Sequence, residues 1–415
     1  MKGCLFEYVQ RILERRCSVN MEKKKTPDMR FAECQNNWER RKLGDILKYE
    51  QPGPYIVNST DYDDSYETPV LTAGQSFILG YTDEADGIKN ASPDEPVIIF
   101  DDFTTSSHFV DFPFKVKSSA MKLLTLKDES DDIYCVKNIL QNLDYVPASH
   151  ERHWISIFAD FDVLIPKNKE EQSQIGEFYR NIDNLTALHQ KKYDALIKTK
   201  KSMLLKMFPQ DGATVPEIRF SDFTDAWEQR KLGDVLEVVT RKNGSQFTKE
   251  DVLSVSDEFG CVNQIAFQGR SFAGEDISNY KVVDTGDIIY TRSPLRAKPF
   301  GIIKIVREET GIVSPLYIVN KAVDGNDAEF LYRAFDLPYK TNNYLSPLVR
   351  KGAKNTMNIS EEEWLSGNVM VSPLYEEQKK IGEFFKVLDD TITLHQRELE
   401  TLKNIKTVLL NKMFV

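Results

Sequence analysis

Two loop segments carry the side chains whose chemistry stands out in this sequence. One runs from Thr291 to Lys298, and its guanidinium and ammonium groups suit phosphates or guanine edges. The other follows Phe100 and offers hydroxyl and imidazole donors to bases or phosphates. A solvated surface loop is the alternative for each segment. The candidate contact residues are Thr104, Thr105, Ser106 and His108 in one loop and Arg292, Arg296 and Lys298 in the other.

A second pair of segments adds positive charge. They are His150–Trp154 (HERHW) and Arg350–Asn355 (RKGAKN). Trp154 is expected in a core rather than as a stacking platform. The further candidates for nucleic-acid contact are Arg152, His153, Arg350, Lys351 and Lys354.

Strands and helices that would position these loops are predicted at matching places in two stretches of the chain that differ in sequence. These stretches are called the first and the second variable module. Each candidate loop follows a predicted buried strand, and each later segment precedes a short apolar strand that returns to a long helix. The modules are therefore predicted to be mixed α/β. The expected strands are 96–100, 121–126 and 163–165 in the first module and 286–290, 312–319 and 369–371 in the second, with helices at 133–143 and 328–335.

Signatures of catalysis are missing from the sequence. No Asx-Pro-Pro-aromatic tetrapeptide, no GxxxxGK[ST] phosphate loop and no HxxxH, HExxH or CxxC metal motif occurs. We therefore expect no catalytic residue, no metal and no cofactor in this chain. Asp101 and Asp102 form a carboxylate pair, but no nucleophile or base accompanies them, and solvated loop acids are the simpler interpretation.

Composition limits the class of protein. The chain has 415 residues, a net charge of −10 and five scattered cysteines, which favours a cytoplasmic globular protein without disulfides. No apolar run reaches the length of a membrane helix. The acidic charge, strongest over residues 48–165, argues against a simple electrostatic DNA binder, unless a local basic surface or a basic partner offsets it.

The sequence repeats a conserved frame around divergent inserts. The segments 27–31 (PDMRF) and 38–47 (WERRKLGDIL) return as 216–220 (PEIRF) and 227–236 (WEQRKLGDVL). The segments 170–178 (EEQSQIGEF) and 188–190 (LHQ) return as 376–384 (EEQKKIGEF) and 394–396 (LHQ). One task carried out twice, on two different targets, fits this arrangement. Residues 1–20 lie outside the repeat, and Met21 would serve as a start.

The second repeated block predicts two long helices of about 55 Å, because apolar residues recur at spacings of three and four. We expect an antiparallel pair; two separate surface helices are the alternative. His189 and His395 occupy equivalent positions, and packed histidines are expected there rather than ligands. The predicted seam comprises Ile175, Phe178, Ile182, Leu185, His189, Leu196, Ile381, Phe384, Leu388, His395, Leu399 and Leu402.

The duplicated Trp-Glu-x-Arg-Lys-Leu-Gly-Asp block and the duplicated Glu-Gln-x-x-Ile-Gly-Glu-Phe helix start resemble the specificity subunit of type I restriction–modification enzymes. The resemblance covers residues 27–414. It implies two target-recognition domains, each reading one half of a bipartite site in double-stranded DNA, with the long helices setting the gap between the halves. It also implies two modification subunits that bind S-adenosylmethionine, and restriction subunits that join them.

The resulting prediction is an α/β (mixed α+β) chain with a pseudo-twofold repeat and no catalytic activity of its own. The alternatives are a two-headed scaffold that binds other proteins, which would suit the acidic charge, and a self-contained nuclease or methylase. The predicted divisions are an N-terminal extension (1–26), target-recognition domains (27–166 and 209–373) and spacer helices (167–208 and 374–415).

Overall fold

The computed structural model describes residues 27–414 except 33, 35, 73–76, 144, 146–152, 211, 297, 308–309 and 352–356. The chain divides into two compact units. Unit 1 holds the residues up to His189 together with those from Arg397 onward, and unit 2 holds Gln190–Gln396. Each unit therefore combines one variable module with segments of two long helices. No helix in the described ranges is both long and apolar enough to span a membrane.

Unit 1 is built on an antiparallel four-stranded sheet in the order β2-β8-β5-β6, whose central strand β5 is buried along its whole length. A second sheet, β4-β3-β7, packs beside it, and β1 pairs with β9. The elements are β1 Trp38–Lys42, α1 Leu43–Ile46, β2 Leu47–Glu50, β3 Thr68–Leu71, β4 Ile78–Thr82, β5 Val97–Asp101, β6 Ser107–Val110, β7 Lys115–Val116, β8 Met121–Leu126, α2 Ile133–Gln141, α3 His153–Ser156, β9 Asp162–Pro166 and α4 Lys169–Lys206.

Unit 2 repeats this plan with the sheet β11-β18-β15-β16 and the pair β10–β21, and it adds the hairpins β12–β13 and β19–β20. Its elements are β10 Glu228–Lys231, β11 Leu236–Val238, β12 Leu253–Ser256, β13 Gly260–Asn263, α5 Gln264–Gln268, β14 Lys281–Val283, β15 Ile288–Tyr290, β16 Ile303–Ile305, β17 Gly311–Val313, β18 Ile318–Ala322, α6 Ala328–Arg333, α7 Pro338–Leu345, β19 Arg350–Lys351, β20 Met357–Asn358, α8 Glu361–Leu365, β21 Asn368–Val371 and α9 Tyr375–Met413.

The single strand predicted over 312–319 is wrong. The segment forms β17 and β18, which belong to different sheets. Pro315 lacks the N–H that a continuous strand would need, and the backbone turns there, with Tyr317 N donating to Ser314 O at 3.1 Å. The other predicted strands and helices are present, with ends displaced by one or two residues.

The two long helices run antiparallel within each unit. In unit 1, Asp183 of α4 forms an ion pair with Lys406 of α9 at 2.6 Å, and His189 contacts Glu398 at 2.9 Å. In unit 2, Lys200 of α4 forms an ion pair with Asp389 of α9 at 2.8 Å. The expected antiparallel arrangement is confirmed in each unit.

The seam differs from the prediction by one residue at its aromatic position. Phe384 is 36% exposed, whereas the next residue, Phe385, is fully buried. In the first copy Tyr179 is fully buried, and Phe178 is partly buried with its ring 6.0 Å from Phe31. A straight α-helix has about 3.6 residues per turn, so its buried face moves gradually away from the positions of a strict heptad repeat. The ring of the next residue, Tyr179 or Phe385, therefore lies in the core instead. Among the other predicted seam residues, those fully buried are Ile175, Ile182, Ile381, Leu399 and Leu402, and those partly buried are Leu185, His189, Leu196, Leu388 and His395.

Candidate nucleic-acid interface

The repeated frame is held by the same buried triad in both units. Arg30 donates through Nε and Nη2 to the Glu171 carboxylate at 2.8 and 2.6 Å, and Trp38 Nε1 donates to the same group at 3.2 Å. In unit 2, Glu377 accepts from Arg219 at 2.6 and 2.8 Å and from Trp227 Nε1 at 3.2 Å. These contacts fix β1 and β10 to the first turns of the long helices and explain why the motifs recur together.

The repeated glycine of the Ile-Gly-Glu-Phe motif allows a second helix to approach. Asp132 caps α2 by accepting from Cys135 N at 2.7 Å, and a Cβ placed on Gly176 would lie 2.1 Å from its Oδ1. Gly382 has the same relation to Asp327, with a separation of 2.4 Å. The glycine therefore determines how closely each module's helix packs on the long helix, and with it the position of the module.

In unit 1 two buried carboxylates stabilise the loop after β5 from its inner side. Asp101 accepts from Phe103 N and Thr104 Oγ1, each at 2.8 Å. Asp102 forms an ion pair with Lys122 at 2.7 Å, and both side chains are almost fully buried. The interpretation of these carboxylates as solvated loop acids is therefore wrong. Because both charges are directed inward, the outer edge of the loop carries the Phe103 ring and hydroxyl groups rather than carboxylates.

The structure brings the two candidate segments of the first module together. His153 is fully buried, its Nδ1 lies 2.6 Å from the Asp102 carbonyl oxygen, and Trp154 N donates to Asp102 Oδ1 at 3.1 Å. His153 therefore supports the loop from the core rather than facing solvent. Trp154 is 1% exposed and packs on Phe100, which confirms it as a core residue. Arg152 lies outside the described residues.

The exposed part of the first loop is compact and strained. Thr104 Oγ1 lies 2.9 Å from Ser106 Oγ, and Thr105 adopts a φ of +59°. His108 stacks on Phe77 with ring centroids 4.3 Å apart. A residue other than glycine with positive φ persists only where its surroundings hold it in place, which is common at functional loops.

The matching loop of unit 2 also contains a residue in the left-handed region, nearer to the end of its strand. Arg292 has a φ of +54°. In the described parts of the chain, Arg292 and Thr105 are the two non-glycine residues with a positive φ. The Arg292 guanidinium donates to backbone carbonyls, with Nε 2.6 Å from Leu316 O and Nη1 3.2 Å from Ile359 O. Lys298 forms an ion pair with Asp257, while Arg296 is exposed.

The two candidate segments of the second module also meet. Arg292 and Arg350 line one cleft of about 320 Å³, and the Arg350 side chain is 83% exposed with Glu363 at 3.4 Å. The Lys351 backbone lies in β19, and Lys354 lies outside the described residues. The remaining residues that line the cleft are Met357, Asn358, Ile359, Ser360 and Glu363.

Comparison with known proteins decides the family. A family model described as the type I restriction modification DNA specificity domain matches residues 35–198 and again residues 224–404. The chain belongs to this specificity family. Its function is recognition of a DNA target within a type I restriction–modification system, and the predicted absence of catalytic activity agrees with the non-catalytic role of the family's subunits.

Specificity subunits from other organisms resemble this member of the family over different lengths. The chain is 48% identical over 153 residues to the specificity subunit of the EcoR124I/EcoR124II enzyme of Escherichia coli, a match that spans 35% of this chain and 37% of that one. It is 21% identical to the MjaVIII specificity subunit of Methanocaldococcus jannaschii, over 92% and 93% of the two chains. The crystal structure of the S subunit from M. genitalium shares the fold, with a TM-score of 0.70 at 15% identity over 94% and 99% of the chains.

Several residues that shape the specificity loops were not predicted from the sequence. Lys122 lies within an apolar strand, and Asp257 lies in a hairpin turn remote in sequence from the loop it contacts. The acceptors of Arg292 are backbone carbonyls, which no side-chain pattern reveals. The one available signal was the matched position of the two loops after β5 and β15.

Proposed function

We propose that each module reads one half of a bipartite DNA site through the loop after its central strand, and that the segment before its return strand supports this loop in the first module and adds Arg350 to the contact surface in the second. The observation that carries this proposal is their convergence in both modules, with the strained residues Thr105 and Arg292 in the matching loops. Strained, braced loops on rigid strands suit recognition because little ordering remains to be done on binding. The boundaries 27–166 and 209–373 are our proposed recognition domains.

The two modules present different chemistry to DNA. The first loop offers Thr104, Thr105 and Ser106; the hydroxyl groups of Thr104 and Thr105 donate to Asp101 Oδ2 and to the Thr104 carbonyl oxygen, so towards DNA these two groups can accept. The second offers Arg296 in its loop and Arg350 in the cleft that Arg292 also lines, and both side chains suit guanine edges and phosphates. This difference supports an asymmetric DNA site. Binding to the half that the second module reads should depend more strongly on charge than binding to the other half.

The acidic charge of the chain does not exclude this role. Asp101 and Asp102 make the first loop acidic in sequence, yet they are 7% and 1% exposed. Their charges are met by internal donors, including Lys122. A DNA phosphate approaching the loop would therefore meet hydroxyl groups before it met carboxylates, which reduces the electrostatic objection.

The partners we propose are two modification subunits that supply S-adenosylmethionine, together with restriction subunits. Support comes from the repeated frame, whose triads give the chain two equivalent faces for copies of one partner. Leu188 and Leu394 occupy equivalent positions of the repeat and are 47% and 44% exposed, so the frame presents the same apolar side chain twice. Since the target is DNA and the frame needs no disulfide, we propose that the assembly works in the cytoplasm.

Exchange of one module tests this proposal. Residues 48–165 are replaced by the first module of another family member, and the methylome is sequenced in cells that contain the partner subunits. We expect one half-site to change and the other to remain. A change of both halves together would contradict independent modules, and methyl transfer by the purified chain alone would favour a self-contained enzyme.

A further inference from the structure

The loop between β15 and β16 has the form of a finger. Its base is closed by Thr291 N donating to Ile302 O at 3.0 Å. Near its tip, Leu295 and Lys298 exchange two backbone hydrogen bonds of 3.0 and 3.1 Å, so Arg296 lies in the tight turn between them. The finger is therefore closed at its base and again by one bridge near its tip, where the exposed Arg296 lies.

One side of the finger is held by Arg292. Its guanidinium connects the loop to two segments distant in sequence, through Nε to Leu316 O at 2.6 Å and through Nη1 to Ile359 O at 3.2 Å, while Nη2 also donates to Leu316 O. Three of its donors are thus engaged by protein carbonyls, and its left-handed backbone is retained because these contacts hold it. Because these donors bind protein carbonyls, the Arg292 side chain is suited to stabilising the loop.

The other side is held by an ion pair with the turn of the β12–β13 hairpin. Lys298 Nζ contacts the Asp257 carboxylate, and Lys304 Nζ lies 3.5 Å from the same group. Burial opposes ionisation of Asp257, but the two ammonium groups outweigh it and hold its pKa below the usual value. The carboxylate therefore stays charged and keeps Lys298 directed along the protein surface.

Arg296 differs from both. It is exposed, and across the described residues no hydrogen bond or ion pair engages its guanidinium. Its planar fork matches the O6 and N7 acceptors of guanine in the major groove, whereas the ammonium group of a lysine is a point charge without this fixed geometry. The loop that carries Arg296 is held on both sides, which favours base recognition because the direction of approach is fixed.

We propose that Arg296 reads a guanine in the half-site of the second module, and that Arg292 and the Lys298–Asp257 pair are positioning residues that aim it. The inference rests on the proposed function, since it requires that this module face DNA. It assigns separate roles to three residues that the sequence alone presented as equivalent.

The test uses the full chain assembled with its modification subunits and a panel of duplexes in which each base pair of the second half-site is replaced in turn. Arg296→Ala should remove the preference at one G·C pair, a loss of roughly 10- to 100-fold there, and leave the other pairs unchanged. Arg296→Lys should not restore it. Arg270→Ala is the matched control, because Arg270 is an exposed arginine of the same module that stacks on Phe272.

The positioning residues should behave differently. Arg292→Ala and Asp257→Asn should weaken discrimination at the same G·C pair, by a smaller factor than Arg296→Ala does, without changing the dependence of binding on salt, because neither would remove a phosphate contact. Discrimination in the first half-site should stay intact and serves as the internal reference for folding and assembly. If Arg292→Ala does not fold, Asp257→Asn alone tests whether the residues that hold the finger position Arg296.

Other results would overturn the assignment. An Arg296→Ala variant that binds all sequences more weakly, with a salt slope smaller by about one, would make Arg296 a phosphate contact. Unchanged discrimination would remove it from the interface. A wild-type assembly without any sequence preference would instead refute the proposed function, so the two failures are distinguishable.

Discussion

Gly176→Ala gives a sharp test of how the modules are positioned on the frame. The new Cβ would lie 2.1 Å from Oδ1 and 2.6 Å from Cγ of Asp132. Asp132 cannot easily withdraw, because its carboxylate caps α2 through Cys135 N and its own N–H donates to Gln172 Oε1 at 2.9 Å. The substitution should therefore force Asp132 out of its capping position or push the two helices apart.

The expected magnitude follows from opposing effects. Alanine is favoured over glycine inside a helix by about 1 kcal/mol. Overpacking of this kind costs about 1–3 kcal/mol, and loss of the cap about 0.5–2 kcal/mol. We expect Gly176→Ala to lower the free energy of unfolding of unit 1 by about 1–2 kcal/mol. In an Asp132→Ala background, where the nearest atoms are gone, the same change should stabilise by up to about 1 kcal/mol. The coupling between the two sites is then about 2–3 kcal/mol.

Native-state hydrogen exchange is the suitable assay, because the chain has two units and global unfolding need not be two-state. Peptides from α2 and the start of α4 report on the change, and peptides from unit 2 serve as the reference. The equivalent pair, Gly382 and Asp327, provides a contrast: Phe330 N also lies 3.1 Å from the added Cβ, so Asp327→Ala should rescue less completely. Additive effects in unit 1, or stabilisation by Gly176→Ala alone, would refute the steric argument.

Three further predictions concern charge and length. Glu171→Gln and Glu377→Gln should each destabilise their own unit by about 3–5 kcal/mol, measured by native-state hydrogen exchange, since each leaves a buried arginine without its counter-charge; losses below 1 kcal/mol would contradict this. Burial raises the pKa of Asp287 to about 6, so the folded state binds its proton more tightly and unit 2 should lose stability as pH rises from about 4 to about 6. Asp287→Asn should then stabilise unit 2 at pH 7 by roughly 1–3 kcal/mol and flatten that profile, whereas an unchanged profile would count against it. Inserting one heptad after both Gln190 and Gln396 adds about 10 Å, or about three base pairs, and methylome sequencing should show weaker methylation at a longer gap; retention of the original gap would show that the helices do not set it.

The frame was predictable because its parts repeat. The Arg30, Trp38 and Glu171 contacts arise from motifs that occur twice in the same order, and a pattern of apolar residues at helical spacing is sufficient to define α4 and α9. The buried aromatic position was misplaced by one residue, at Phe384, because helix packing does not follow a strict heptad over this length.

The interior of the loops was not predictable to the same extent. The sequence places Asp101 and Asp102 in a polar loop, and only the neighbouring strand, through Lys122, determines that they are buried. In the same way, the partners of Arg292 are carbonyl oxygens of residues far along the chain. Composition identifies which groups are available for binding, but the contacts that use some of them internally depend on the fold.

The division of the chain has a consequence for its biosynthesis. Unit 2 is continuous, whereas the core of unit 1 contains Leu409, Met413 and Phe414 from the far end of α9. All residues of unit 2 are therefore synthesised before the segment from Arg397 onward, which completes unit 1. Until then, the apolar surface around Trp38 and Tyr179 would remain without its ring partner Phe414. The module synthesised first is thus the last to be completed, and part of its apolar surface stays uncovered and open to aggregation until α9 has been made.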